Sequence, residues 1–224
     1  LFYIELLCRI MVYLLKRLYG YEMGLVTKIK PIGVDLKINS INKSLYSHLI
    51  NESKWINYEA YHRVYANETE KGIVPEAYTE QSIDSNDYKE VFLNDNFSSS
   101  FFTLDDNIDL RDRNSSQNIS IYFQLNVKEL YPNVTHRADE EARNDVIVAL
   151  KKNPHVNKVL GVVKGMRNVY EGFDTSQIKW TDMNPFHVFR VDITTNVNYS
   201  CDWFCAYGDT FGGFEYTMDF GMEG

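Results

Sequence analysis

Residues 118–154 read NISIYFQLNVKELYPNVTHRADEEARNDVIVALKKNP, and two different periods meet in them. From Asn118 to Leu130, the apolar side chains Ile119, Ile121, Phe123, Leu125 and Val127 take every second position. Ser120, Gln124, Asn126 and Lys128 take the positions between, with Tyr122 among them. Successive side chains of a strand point to opposite faces, so this alternation predicts a strand with one buried face. Pro132 stops it. Further on, Ala138, Ala142, Val146, Ala149 and Leu150 recur at the spacing of a single helical stripe. Asp139, Glu140 and Glu141 stand where the helix opens, and Lys151 and Lys152 where it closes, each sign matching the helix dipole. Thr135 is the expected N-cap, and Asn153-Pro154 the stop. Small residues at its start would let this helix lie close on a sheet.

Elements of both kinds extend to either side. Residues 24–38 read as a lead-in broken by Pro31 and Gly33. Ile41, Leu45 and Leu49 predict a short amphipathic helix over residues 39–50, with Asn39 or Ser40 as its N-cap. WINYEAYHRVYAN, from Trp55, is rich in Tyr and β-formers and reads as a strand. Lys71-Gly72 and Pro75 mark a turn. Residues 82–113 are loop-rich and acidic. Within them YKEVFLND and SSSFFTLDD read as a β-hairpin near residues 88–104, turning at Asn94-Asp95-Asn96. Phe101 and Phe102 are adjacent, so on a strand they face opposite sides. One fills a core, and the other needs a second surface to bury against. After the helix, VNKVLGVVKGMRNVYEGF reads as a long strand in which Gly161 and Gly165 mark a bulge or a close backbone approach. A last strand follows, where His187, Phe189, Val191, Ile193, Val197 and Tyr199 alternate with Val188, Arg190, Asp192, Thr194 and Asn196. The predicted class is α+β: a mostly antiparallel sheet, one or two helices packed on one face, and an extended hairpin. The second face is left solvated or open to association.

The 224 residues suffice for one full domain and a small extra element. Three segments differ in composition. Residues 1–22 are apolar but interrupted by Glu5, Arg9, Lys16 and Arg17, so no run reaches the about 20 apolar residues of a membrane span. Met11 and Met23 are both candidate starts, and the segment reads as sequence upstream of a start at Met23. An amphipathic helix packed on a partner, or one lying on a membrane surface, are the other readings. Residues 23–200 hold the α+β domain. Residues 201–224, CDWFCAYGDTFGGFEYTMDFGMEG, carry many aromatics and acids, no Lys or Arg, and no clear period. Such a tail does not easily form a core of its own.

A formal net charge of −8 argues against sequence-independent grip on nucleic acid, which needs Lys and Arg against phosphates. Aromatic residues make up 14% of the chain, led by sixteen Tyr, a bias that accompanies interfaces and Tyr-rich cores alike. Cys8, Cys201 and Cys205 form neither a disulfide framework nor a metal-ligand pattern, which fits a reducing interior. Asp105-Asp106 and Glu140-Glu141 pair carboxylates, but in turn-like or helix-terminal contexts where acids occur without catalysis. His136 and His187 stand apart from any Ser, Cys or Asp at a diagnostic spacing. Phosphate-loop, zinc-protease and nucleophile-elbow motifs are absent from the sequence. No catalytic residue, cofactor site or metal site is predicted.

The order of a short helix, a Tyr-rich strand, an acidic hairpin, the ISIYFQLNVKELYP strand, the HRADEEARNDV helix and a closing strand pair resembles the tail-terminator and tail-completion fold of tailed phages. The stretches PEAY, DYKEVFLNDNFSSSFFTLDD and LYPNVTHRADEEARNDV look like the version in crAss-like phages of gut bacteria, over roughly residues 28–200. The resemblance implies a non-enzymatic virion subunit, assembled in the host bacterial cytoplasm. Copies would close a ring at the phage neck or tail, beside other neck or tail proteins. DNA would pass through the lumen without specific binding, and no membrane or cofactor is implied. Candidate contact residues are Phe97, Phe101 and Phe102 near the expected hairpin, and Trp203, Phe204, Tyr207, Phe211 and Phe214 in the tail. A small α+β enzyme, or a host adaptor or binding module, is the alternative. A pocket gathering His136 or His187 with acids would favour the enzyme.

Overall fold

Alternation over residues 119–125 does build a strand, and that strand is the sheet's spine. The computed structural model describes residues 24–70, 72–78, 88–92, 98–104, 114–176, 178 and 182–198. In chain order these form α1 (Val34–Asn51), β1 (Tyr58–Thr69), β2 (Gly72–Tyr78), β3 (Tyr88–Glu90), β4 (Ser98–Leu104) and β5 (Asn114–Asn126). Then come α2 (Val127–Leu130), α3 (Asp139–Lys152), β6 (Lys158–Lys164), α4 (Met166–Val169) and β7 (Phe186–Asn198). The strands make one seven-stranded sheet in the order β3-β2-β1-β4-β5-β7-β6. Only β1 and β4 run parallel among these neighbours; every other pair is antiparallel. The α+β class and the mostly antiparallel sheet therefore hold.

Helices α1 and α3 pack on one face. Ile38, Ile41, Leu45 and Leu49 of α1 and Ala142, Val146, Ala149 and Leu150 of α3 meet Ile119, Ile121, Phe123 and Leu125 of β5 in one core. Phe102, Phe189, Val191 and Ile193 belong to the same core. The helical stripe read from the sequence is the buried stripe.

The second face is not open. Phe101, Tyr122 and Val188 point to it and are covered by Val169, Tyr170 and Phe173. Phe101 stacks on Tyr122 with ring centroids 4.7 Å apart, and the Phe173 ring meets it edge-on at 6.4 Å. The expected long strand after Pro154 therefore ends early. At Gly165 the backbone turns to a φ of +83° and α4 begins. That turn sends the following residues back across the second face instead of onward as strand. Gly161 does mark a bulge, since the register between β6 and β7 shifts between Val159 and Gly161.

The hairpin expected near residues 88–104 does not form as a pair. β3 pairs with β2, whereas β4 lies between β1 and β5. Tyr88 explains the first placement, because its ring packs against Tyr78 and Tyr65. Buried serines explain the second. Ser98 Oγ accepts from the Asn126 N–H (2.9 Å), Ser99 Oγ from Gln124 Nε2 (3.1 Å), and Ser100 Oγ shares a 2.6 Å hydrogen bond with Tyr58. β1 and β2 do pair as a hairpin, with Thr69 opposite Gly72 at the turn that Lys71-Gly72 suggested. Pro75 lies within β2, not in the turn.

Both helix starts differ from expectation. α1 begins at Val34, after Gly33 with φ +57°. Asn39 lies inside it and brackets the lead-in, donating to the Lys28 carbonyl (2.8 Å) and accepting from the Lys28 N–H (3.1 Å). α3 begins at Asp139 after Ala138, with no side-chain cap, so Thr135 does not cap it. Its end does follow the sequence: Asn153 is extended, and its side chain donates to the Ile41 carbonyl of α1 (3.2 Å).

Candidate functional site

The polar side chains with the richest chemistry gather where α3 starts and β7 begins. His187 opens β7 and is 2% exposed. Its Nδ1 lies 2.9 Å from Asp182 Oδ1, and its Nε2 lies 2.7 Å from Arg143 Nη1. A guanidinium only donates, so Nε2 accepts and the ring proton sits on Nδ1, facing Asp182. The imidazole is therefore neutral. Burial pushes its pKa below the usual value and the Arg143 charge adds to that, while Asp182 and Asp139 pull the other way. Arg143 is itself buried and held by Glu140 in the turn before it. Asp182 also accepts from the Val188 N–H (3.1 Å), and Arg137 pairs with Asp139 at 2.5 Å.

An acid–imidazole pair is the raw material of a general base, but a base needs a free nitrogen facing its substrate. Here both ring nitrogens are engaged. Taking a proton at Nε2 would require Arg143 to leave. As arranged, the cluster ties the first turn of α3 to the start of β7. Nearby, a cavity of about 200 Å³ is lined by Lys128, Tyr131, Thr135, His136, Arg137 and Asn184, with apolar neighbours. Neither His187 nor an acid lines it. His136 instead pairs with Glu141 at 2.6 Å on the surface. This cavity thus brings His136 together with no acid.

Two further clusters are also closed on themselves. Asp35, almost fully buried, takes Lys28 at 2.6 Å and Arg63 at 2.9 Å. Tyr61 donates to Glu59 and accepts from Lys89 Nζ at 2.6 Å. Burial and the Glu59 carboxylate both push the Tyr61 phenol above its usual range, so it stays protonated. On the second face Tyr170 donates to Gln124 Oε1 (2.7 Å), and Gln124 Nε2 donates to the Val91 carbonyl (2.7 Å). Among the described residues, no group of three His, Cys, Asp or Glu could hold a metal ion. No described helix is long and apolar enough to cross a membrane.

Among the described residues, the sheet's two rims have no further strand beside them. β3 is one edge strand and β6 the other. The Leu160 side chain on β6 is 48% exposed, and Lys158, Gly161 and Lys164 beside it are exposed too. Unpaired strand edges present rows of N–H and C=O groups ready for another chain.

Of the candidate contact residues, Phe101 and Phe102 are among the described ones. Phe101 and Phe102 are fully buried on opposite faces of β4, so neither offers surface to a neighbour. Phe97, Trp203, Phe204, Tyr207, Phe211 and Phe214 lie outside the described residues. The sequence reading missed Arg143, Gln124 and Tyr170 as buried polar groups, and the half-buried Asp182 as the partner of His187. For Arg143 a signal existed: it follows Ala142 within the apolar stripe, three residues after Glu140. For Gln124 the alternation pointed outward, and only the covered second face makes that position buried.

No protein-family model matches the chain, and no curated protein matches it either.

Proposed function

We propose that the protein is a non-catalytic structural subunit of a tailed-phage virion, closing into a ring at the neck or tail through which DNA passes. The observation that carries this reading is the open seven-stranded sheet, with β3 on one rim and β6 on the other. Two different rims on one subunit suit a head-to-tail contact, and such contacts close into rings when the rotation between copies allows. The order of elements between α1 and β7 supports it, with the β1–β2 hairpin in place of the one expected near residues 88–104. So does the charge. A net charge of −8 keeps a DNA backbone from sticking to a conduit. The His187, Asp35 and Tyr61 clusters act as braces that hold the domain rigid enough to carry a ring.

Mass photometry of the purified chain, across a concentration series and with candidate neck partners, tests the reading. A discrete multimer, seen as rings by negative-stain microscopy, is the expected result. A monomer under every condition overturns it. Turnover of a small-molecule substrate that is lost on His187→Ala, with the fold retained, would replace it with the enzyme reading.

A further inference from the structure

We infer that the outer edge of β6 receives the acidic, aromatic segment 201–224 of a neighbouring copy, added beside it as a further strand. The inference rests on the ring reading and names the contact that joins one copy to the next.

Four observations carry it. The first is charge. Residues 151–170 hold Lys151, Lys152, Lys158, Lys164 and Arg167 and no Asp or Glu, in a chain whose net charge is −8. Residues 201–224 hold Asp202, Asp209, Glu215, Asp219 and Glu223 and no Lys or Arg. Five positive charges in one segment match five negative ones in the other, and complementary potentials of this kind set partner and register. The second is placement. The basic residues flank one strand: Lys158 and Lys164 end β6, Lys151 and Lys152 close the preceding helix, and Arg167 lies in α4 after it. Lys164 already has Glu140 at 3.7 Å, so four of the five are without an acid in a described ion pair.

The third is the edge itself. Among the described residues no strand pairs with β6 on the side away from β7, and Leu160 stands there 48% exposed. An aromatic side chain has apolar surface to cover on that strand. The fourth is direction. β6 starts beside Thr194, near the end of β7, and runs antiparallel to it. A strand added antiparallel to β6 on its outer side would run in the same direction as β7. A tail from a neighbour can enter from the other end and pair antiparallel, the slightly more stable ladder.

The chain supplies its own test. Cys201 and Cys205 lie in the tail, and Cys8 is the only other cysteine. With Cys8→Ser in place, Leu160→Cys puts one thiol on the exposed edge of β6. A short bis-maleimide is then applied to a mixture of isotope-labelled and unlabelled chains at ring-forming concentration. Crosslinked peptides joining position 160 of one isotope to Cys201 or Cys205 of the other are expected. Reversing Lys158 and Lys164 to Glu should lower their yield about tenfold, and 1 M salt should lower it as well. Crosslinks found only within single chains, or none to the tail, overturn the inference. Mass photometry of the same samples separates the two ideas. Multimers that persist without the 160-to-tail crosslink overturn this contact and leave the ring standing. Monomers alone overturn the ring, and this contact with it.

Discussion

Replacing Phe101 by Ala removes a ring that is fully buried on the second face of the sheet. The lost contacts are specific: a parallel stack on Tyr122 at 4.7 Å and an edge contact from Phe173 at 6.4 Å. Truncating a buried Phe to Ala costs about 3–5 kcal/mol from lost transfer energy and the cavity left behind. Within that, each aromatic pair accounts for about 0.5–1.5 kcal/mol beyond area burial. For a domain of this size, each kcal/mol moves the melting temperature by roughly 2–4 °C. A fall of roughly 6–20 °C is expected. Phe102→Ala, on the helix-covered face, should cost a similar amount, because both rings are fully buried. Urea unfolding followed by fluorescence of the buried Trp55, together with a thermal melt, measures both variants. A double-mutant cycle of Phe101 and Tyr122 should return a coupling of about 0.5–1.5 kcal/mol. If Phe101→Ala stays within about 0.5 kcal/mol of wild type while Phe102→Ala does not, the second face is open in solution. The covering role given to Tyr170 and Phe173 would then be wrong.

Three further outcomes are expected. His187 is held neutral, with its pKa below the unfolded value, so the unfolded chain binds the extra proton first; stability should fall as pH drops below about 6.5. Urea midpoints at pH 7.5 and 5.5 should differ more for wild type than for His187→Gln, and equal differences would remove His187 from the cause. Val146→Asp places a charge at a fully buried site on α3 and should cost several kcal/mol, far more than Glu140→Gln at the exposed end of the Arg143 pair; denaturation in the reverse order would mean α3 packs through another face. Gly72 has a φ of +97°, and a Cβ there would collide with Asp174. Gly72→Ala should therefore cost about 1–3 kcal/mol, and adding Asp174→Ala should recover only the steric part, as read from the melting temperature of each variant.

Sequence alone determined the parts whose signal is periodic and local. β5 followed from the alternation of Ile119, Ile121, Phe123 and Leu125, and α3 from the stripe of Ala142, Val146, Ala149 and Leu150 with its ordered charges. A strand period or a helical period survives whatever the neighbours are, because it reflects only which face of an element is buried. The opposite orientations of Phe101 and Phe102 were fixed the same way, by adjacency on a strand. Partner choice was not written there. YKE and SSSFFTL are strands, but only the tertiary structure decides that one lies beside β2 and the other between β1 and β5, since pairing depends on serines and tyrosines far apart in the chain. Asn39 and Thr135 read as helix caps by local rules, yet Asn39 is needed as a bracket for Lys28 and Thr135 stands outside α3. The second face looked polar because Gln124 alternates with apolar residues. It is closed because Gly165 turns the chain back over it and Tyr170 supplies the donor that makes a buried Gln124 tolerable. His187 and Asp182 sit within five positions of each other, but Arg143, which occupies the remaining nitrogen, comes from a helix 44 residues away, and only folding brings it there.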